Sequence, residues 1–231
     1  MAAVRGRPRN FDRDAALRQA MEVFWAKGYD GASMADLTAA MGLNPPSLYA
    51  AFGCKEALFR EAVALYVASD GGRIWAAVDA APTARAAIEA MLRTSAEDFT
   101  RPNKPRGCLI VLSALNADDT NAAVCGALRD LRNGNVETLR RRLENDIAEG
   151  RLPPGLDGRA LAAFYMSVQH GMSIQARDGA SRKTLLAVTD VAMAMWDGLV
   201  SPDQHRRAGR SGKAADAAPA NGTQRRAATS R

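Results

Sequence analysis

The side chains that could do covalent or metal chemistry in this chain are few, and their spacing fits no catalytic motif. The three cysteines, Cys54, Cys108 and Cys125, are odd in number and follow no disulfide or zinc-ligand pattern. The sequence contains no nucleophile elbow, phosphate loop or HExxH motif, and no pair of carboxylates at catalytic spacing. We therefore predict a protein that is not an enzyme and that needs neither a metal nor a cofactor.

One cysteine leaves a reactive role open. Cys108 lies two residues after Arg106, whose positive charge could lower the pKa of the thiol and make it reactive. Buried, inert thiols are nevertheless more common. A redox sensor that uses Cys108 or Cys54 therefore stays an alternative.

Polar residues that begin helices are regularly placed near the N-terminus. Ser33-Met-Ala-Asp36 is a capping-box pattern, and Asn44 precedes two prolines that suit the first turn of a helix. Gly28 and Gly42 stand where glycine ends a helix. We predict three helices here: one that begins near residues 12–14, a second at Ser33 and a third at Asn44.

The apolar residues of the third helix decide which of its side chains face outward. Leu48 and Phe52 are four residues apart and face inward, so Ser47, Tyr49 and Ala50 point outward. Two short helices joined by a tight turn and supported by a third form a helix-turn-helix, whose free face fits the DNA major groove. The same periodicity fits a plain three-helix bundle equally well.

Longer helical patterns fill the rest of the chain to about residue 200. We predict one long helix from Lys55 to about Asp79, and further helices at 83–100, 107–117, 119–149, 157–178 and 181–199. No convincing run of alternating β-branched residues is present, so the fold class is predicted to be all-α.

Charge and composition limit the function less than the local patterns do. The net charge is +6, yet residues 1–60 carry 8 basic and 6 acidic side chains, whereas residues 201–231 carry 7 and 2. This tail has few large apolar residues, and we expect it to be disordered. A protein that coats DNA without sequence preference would explain the tail but not the large apolar region before it.

No apolar run is long enough to cross a bilayer, and no apolar signal segment follows the N-terminus. We therefore expect a cytoplasmic protein with no membrane partner.

The residues from Phe24 to Phe59, FWAKGYDGASMADLTAAMGLNPPSLYAAFGCKEALF, strongly resemble the signature of the TetR/AcrR family. Arg106-Gly-Cys-Leu109 and the segment from His170 to Ala180 are also similar to the regulatory domain of one branch of that family. The resemblance implies a homodimeric transcriptional regulator that binds a palindromic double-stranded DNA operator. It most often implies a repressor that an unidentified small-molecule inducer releases.

The resemblance also implies a domain organisation. Residues 1–55 would form the DNA-binding domain, with an arm at 1–11 and the helix-turn-helix at 33–52. Residues 56–200 would form the helical ligand-binding and dimerisation domain, and 201–231 the basic tail.

The same resemblance implies roles for particular residues. The DNA-facing set would be Ser33, Asn44, Pro45, Ser47, Tyr49, Ala50 and Lys55, with Ser33 and Lys55 on phosphates. The arm residues Arg5, Arg7 and Arg9 could enter the minor groove, or they could simply be solvated. Many family members have His at position 50 or 51, where this chain has alanine, and Ser at position 54.

Pocket and dimer residues complete the predicted set. Adaptable apolar side chains with a few polar groups suit a ligand pocket, and the candidates are Trp75, Met91, Phe99, Cys108, Val111, Met166 and His170. Two apolar stripes on the last two helices could form a four-helix dimer interface or belong to the chain's own core. Their residues are Leu161, Tyr165, Val168, Met172, Leu185, Val188, Ala192, Met195 and Leu199.

Overall fold

The computed structural model describes residues 11–115 and 121–201, and within these ranges the chain forms eleven helices and no strand. The predicted all-α fold class is confirmed. The arm residues Arg5, Arg7 and Arg9, and the tail from residue 202, lie outside the described residues. The helices are α1 Arg13–Gly31, α2 Met34–Met41, α3 Pro45–Phe52, α4 Lys55–Ala68, α5 Gly72–Ala80, α6 Ala84–Asp98, α7 Leu109–Leu112, α8 Ala122–Ala148, α9 Gly158–Arg177, α10 Arg182–Ala194 and α11 Trp196–Leu199.

The first three helices begin where the capping residues predict. The Asp12 carboxylate accepts hydrogen bonds from the first-turn N–H groups of α1, and Ser33 and Asp36 form the predicted capping box of α2. Asn44 Oδ1 accepts from the Ser47 N–H at 2.9 Å and begins α3. These caps satisfy N–H groups that have no partner within their own helix, so they define the helix starts.

Gly28 ends the first, regular part of α1, as the sequence predicts. Its φ of 75° interrupts the helical geometry, and a short turn follows to Gly31. A Cβ at this position would lie 3.0 Å from the Ser113 carbonyl oxygen. That same carbonyl accepts a hydrogen bond from the Tyr29 N–H at 2.8 Å. The bend therefore brings the end of α1 against the segment that follows α7.

The single long helix predicted from Lys55 to Asp79 is wrong, because the chain breaks between α4 and α5. Gly71 N–H donates to the Tyr66 carbonyl, five residues earlier, at 2.8 Å. A Cβ at Gly72 would lie only 2.7 Å from the Val67 carbonyl oxygen, so this close turn requires glycine.

Two other predicted helices also differ from the structure. Of the helix predicted at 107–117, the described residues to 115 form only the four-residue α7, and the Ser113 carbonyl after it accepts a hydrogen bond from the Tyr29 N–H. The helix predicted at 181–199 is interrupted at Met195. The helices predicted at 83–100, 119–149 and 157–178 agree with α6, α8 and α9 to within a few residues.

A single buried core joins the N-terminal helices to the larger region. Trp25 lies at the centre of this joint between the two regions. Its ring packs edge-on against the Tyr66 ring, with 4.9 Å between the ring centres, and its Nε1–H donates to the Gly107 carbonyl at 2.9 Å. The Arg177 guanidinium of α9 donates to the Trp25 and Ala26 carbonyls at 2.6 and 2.7 Å. The helix-turn-helix is thus held firmly on the rest of the molecule. No helix in the described ranges is long and apolar enough to cross a membrane.

The cap of α4 provides a test of local stability. Cys54 Sγ accepts from the Ala57 N–H at 3.4 Å, and sulfur is a weaker acceptor than oxygen. We expect Cys54→Ser to be more stable than Cys54→Ala by about 0.5–2 kcal/mol, with the natural protein between them. Urea unfolding at one protein concentration measures these differences. Equal stability of the two variants would contradict the capping role.

Candidate nucleic-acid interface and internal cavity

The outer face of α3 presents a small set of side chains to solvent. Asn44, Pro45 and Ala50 are exposed, Ser47 is half-buried, and Tyr49 keeps 49% of its surface exposed. Leu48 and Phe52 are buried beneath them. The structure therefore brings the predicted groove-facing residues together on one surface, with Tyr49 as its largest side chain.

Ser33 lies at the start of α2, where its hydroxyl is fully engaged. Asp36 N–H donates to Ser33 Oγ at 3.0 Å, and the Asp36 carboxylate accepts from the Ser33 N–H and hydroxyl. The Lys27 ammonium lies 2.6 Å from Asp36, and this contact, with the Ser33 hydrogen bonds, lowers the pKa of Asp36 to about 2. A phosphate at this helix start would therefore meet an ion pair as well as the N-terminal N–H groups.

Lys55 is the first residue of α4, where its charge opposes the helix dipole. Its ammonium lies 4.5 Å from the centre of the Tyr29 ring, an arrangement that attracts a cation to the ring face. Tyr29 thus holds the Lys55 side chain in place for the phosphate contact that we predicted.

Arg13 is a positioning residue that the sequence analysis missed. Its guanidinium lies 4.4 Å from the centre of the Phe52 ring and pairs with both Glu61 oxygens at 2.8 Å. It also donates to the Ala51 carbonyl at 3.4 Å. Arg13 therefore links α3 to α1 and α4, and no local sequence pattern reports a contact between residues so far apart in the chain.

The larger region contains an internal cavity of about 50 Å³ between α4, α5, α7, α8 and α9. Four predicted pocket residues line it: Trp75, Cys108, Val111 and His170. The other three do not line it. Met91, Phe99 and Met166 are buried where helices pack together, and they do not reach the cavity wall. The cavity is also lined by Tyr66, Asn135 and Gln169, which were not predicted, although a glutamine within the apolar stripe of α9 was a usable signal.

The titratable groups on the cavity wall are held uncharged. Burial raises the pKa values of the Cys108 thiol and the Tyr66 hydroxyl, and burial and the charge of Arg132 lower the pKa of His170. Tyr66 O–H donates to Cys108 Sγ at 3.5 Å. The wall is therefore polar in places but neutral at pH 7.

The predicted lowering of the Cys108 pKa by Arg106 is wrong. The Arg106 guanidinium donates to the Ala176 and Ala180 carbonyls at the end of α9, away from the thiol. A protonated buried thiol is a poor nucleophile toward reagents in solution. The geometry at Cys108 thus gives no support to a redox sensor.

A direct connection joins the cavity wall to α1. Cys108 follows Gly107, whose carbonyl accepts from Trp25, and the Cys108 N–H donates to Ser173 Oγ at 2.8 Å. A shift of residues 107–108 would therefore displace the end of α1, which lies next to the helix-turn-helix.

The two helices predicted to form the dimer interface present an apolar surface of their own. Val168, Val188, Ala192 and Met195 line a shallow groove on α9 and α10, together with Phe164, Thr184, Ala187 and Val191. Leu199 is half-buried in α11.

Four predicted dimer residues belong instead to the chain's own core. Leu161, Tyr165, Met172 and Leu185 are buried within the chain, so they were assigned wrongly. Tyr165 packs against Trp196 and its O–H donates to the Ala192 carbonyl at 3.2 Å. The exposed apolar face thus keeps Val188, Ala192 and Met195 of the predicted α10 stripe, but only Val168 of the predicted α9 stripe.

Two family models match the chain. The model of bacterial regulatory proteins of the tetR family matches residues 16–62, and the tetracyclin repressor-like C-terminal domain matches residues 72–197. The first match contains the α3 face and Lys55, and the second contains most of the cavity wall and the α9–α10 surface.

Curated relatives and solved structures agree with these matches. The chain is 34% identical over 200 residues to the HTH-type transcriptional repressor ComR of Escherichia coli K12, covering 85% of this chain and 94% of ComR. It is 31% identical to the HTH-type transcriptional repressor BdcR of the same strain, covering 82% and 91%. A solved cysteine mutant of the TetR family transcriptional regulator CifR, complexed with double-strand operator DNA, is 47% identical. Its TM-score is 0.79, over 82% of this chain and 100% of CifR.

Proposed function

The chain belongs to the TetR family of bacterial regulatory proteins, and on this premise we propose that it represses transcription by binding an operator and leaves it when a small molecule binds. The single observation that carries the proposal is the exposed α3 face, centred on Tyr49 and packed on α2 and α4. The relatives named as repressors and the CifR complex with operator DNA support it.

Two copies of the chain would act together on the DNA. The apolar surface of α9 and α10 fits a second copy of itself, and a two-fold dimer presents its two α3 helices to matching half-sites. The operator is then a palindrome whose half-site spacing follows the dimer.

The internal cavity is the proposed inducer site. A ligand that binds better to one position of residues 107–108 than to another shifts the protein toward that state. Trp25 and Arg177 would pass the shift to α1, so the spacing of the two α3 helices would no longer fit the operator.

The same observations give less support to the two alternative functions, catalysis and DNA binding without sequence preference. We propose no catalytic role, because the neutral cavity wall holds no arrangement of acid, base and nucleophile in the part of the chain that the structure describes. Binding to DNA without sequence preference would leave the cavity and the α9–α10 surface without a use. A regulator of this kind acts on the chromosome, so we place it in the cytoplasm.

Substitution of Tyr49 tests the proposed recognition face. Operators are first identified by genome-wide recovery of bound DNA, and affinities are then measured by fluorescence anisotropy at fixed salt. We expect Tyr49→Ala to weaken operator binding by about 1–3 kcal/mol, because the largest side chain facing the groove is lost. Ile174→Ala, an apolar residue of α9 with a similar exposure of 46%, is the matched control. Natural affinity in the Tyr49 variant would reject this recognition face.

A further inference from the structure

We propose that the internal cavity binds a small, uncharged molecule that carries a hydrogen-bond donor, of the kind found in a short-chain alcohol. This inference rests on the proposed function, since it assigns a chemical class to the inducer. Three features of the cavity lead to it: an unpartnered acceptor, a wall without formal charge, and a small volume.

The unpartnered acceptor belongs to Gln169, whose side chain lines the cavity with only 4% of the residue exposed. Its Nε2 donates to Ser95 Oγ at 3.3 Å. Its Oε1 is buried and has no hydrogen-bond partner in residues 11–115 and 121–201. Because a buried acceptor without a donor is costly, a ligand that donates to this oxygen supplies the bond that the described residues do not.

The wall excludes a charged ligand. Among the described residues, the cavity lining contains no aspartate, glutamate, lysine or arginine. Its titratable groups are neutral, and the nearby Arg132 guanidinium is turned to the Ile110 carbonyl at 2.9 Å. An ionised ligand would lose its hydration here without gaining an opposite charge. An uncharged ligand avoids this cost.

The size of the cavity limits the ligand to a few atoms. Its volume of about 50 Å³ holds about three to five water-sized groups, since each needs about 10–15 Å³. Most of the wall is apolar, with Val67, Ile74, Trp75, Val111 and Leu131 around the polar end at Gln169. One donor attached to a short hydrocarbon chain matches this arrangement.

A ligand could enter the cavity from the side on which α4 and α8 lie. An apolar groove of about 380 Å³ lies between these helices, and Val67 and Leu131 line both the groove and the cavity. Rotation of these two side chains would open a path for an apolar molecule.

The test uses three probes of nearly equal size on the full-length protein without DNA. n-Butanol carries a donor, methyl propyl ether has the same atoms without a donor, and butyrate carries a charge. We expect ligand-observed NMR titrations to show n-butanol binding roughly 3- to 10-fold more tightly than the ether, the gain of one hydrogen bond. Butyrate should bind more weakly than both.

A matched pair of variants assigns the preference to Gln169. Gln169→Met removes the acceptor and keeps the length of the side chain, so n-butanol should lose its advantage while the ether binds as before. Ether binding also shows that the cavity of this variant is intact. Gln19→Met, on the exposed face of α1, should keep the full preference.

Several results would overturn the inference. These are equal binding of alcohol and ether to the natural protein, a preference for butyrate, no binding of any probe, or an alcohol preference that survives in Gln169→Met. Operator binding is measured separately. If the operator is bound specifically and the preference is absent, the ligand class is wrong and the proposed function stands. An alcohol preference without specific DNA binding would uphold the ligand class and reject the function.

Discussion

Replacing both Val191 and Met195 by aspartate is expected to convert the dimer into monomers that no longer hold a palindromic operator. These side chains are 66% and 49% exposed on the apolar surface of α9 and α10. Two-fold symmetry places four new carboxylates in one interface, and an uncompensated buried charge costs about 3–5 kcal/mol. Dimer association should therefore weaken by at least about 10³-fold, as measured by sedimentation velocity over a range of concentrations.

Loss of operator affinity should accompany the loss of the dimer. A monomer engages one half-site at a time, so it loses the gain of about 10²–10⁴ that two linked contacts provide. Ala123→Asp places a carboxylate on the exposed first turn of α8 and is the control for added charge. A double variant that sediments as an unchanged dimer would place the interface on another surface.

Trp25→Ala is expected to lower the free energy of unfolding by about 3–5 kcal/mol. Trp25 is only 2% exposed, it packs against Tyr66, and it is the hydrogen-bond donor to the Gly107 carbonyl. The truncation leaves a cavity at the joint between the helix-turn-helix and the larger helical region, and it leaves that carbonyl unpaired. Urea unfolding measures the loss, with the protein concentration fixed because the dimer makes stability depend on it.

Two further variants separate the contributions at this joint. Trp25→Phe keeps most of the apolar contact and loses the N–H donor, so we expect a cost of about 1–3 kcal/mol. Val23→Ala, at a half-buried position two residues away, controls for truncation in α1. If Trp25→Ala costs no more than Val23→Ala, Trp25 does not hold the two regions together.

The N-terminal helices could be predicted from the sequence because their signals are local. Ser33 and Asn44 cap helices through bonds to residues three positions later, and Gly42 ends α2 with a φ of 64°. A short helix packed on one surface has one buried face. The positions of Leu48 and Phe52 were therefore enough to predict that Tyr49 faces outward. The family signature lies in this same segment, which is why the function was already evident there.

The later helices carry apolar residues on two faces, and local periodicity cannot say which face meets which surface. Leu161, Tyr165 and Leu185 pack inside the chain, whereas Val168, Val188 and Met195 form the outer surface. Only the placement of α9 and α10 against α6 and α8 distinguishes the two sets. The break before Gly72 was missed for a related reason, since the apolar pattern continues across it.

The sequence by itself determined the all-α class, the capped helix-turn-helix and the family, because these depend on residues close together in the chain. Only the tertiary structure decided the cavity, the joint at Trp25 and the outer face of α9 and α10. A cavity is the space that several helices fail to fill, so its wall depends on their relative positions. Gln169 illustrates this, because only the packing of α9 against its neighbours leaves its Oε1 buried without a donor.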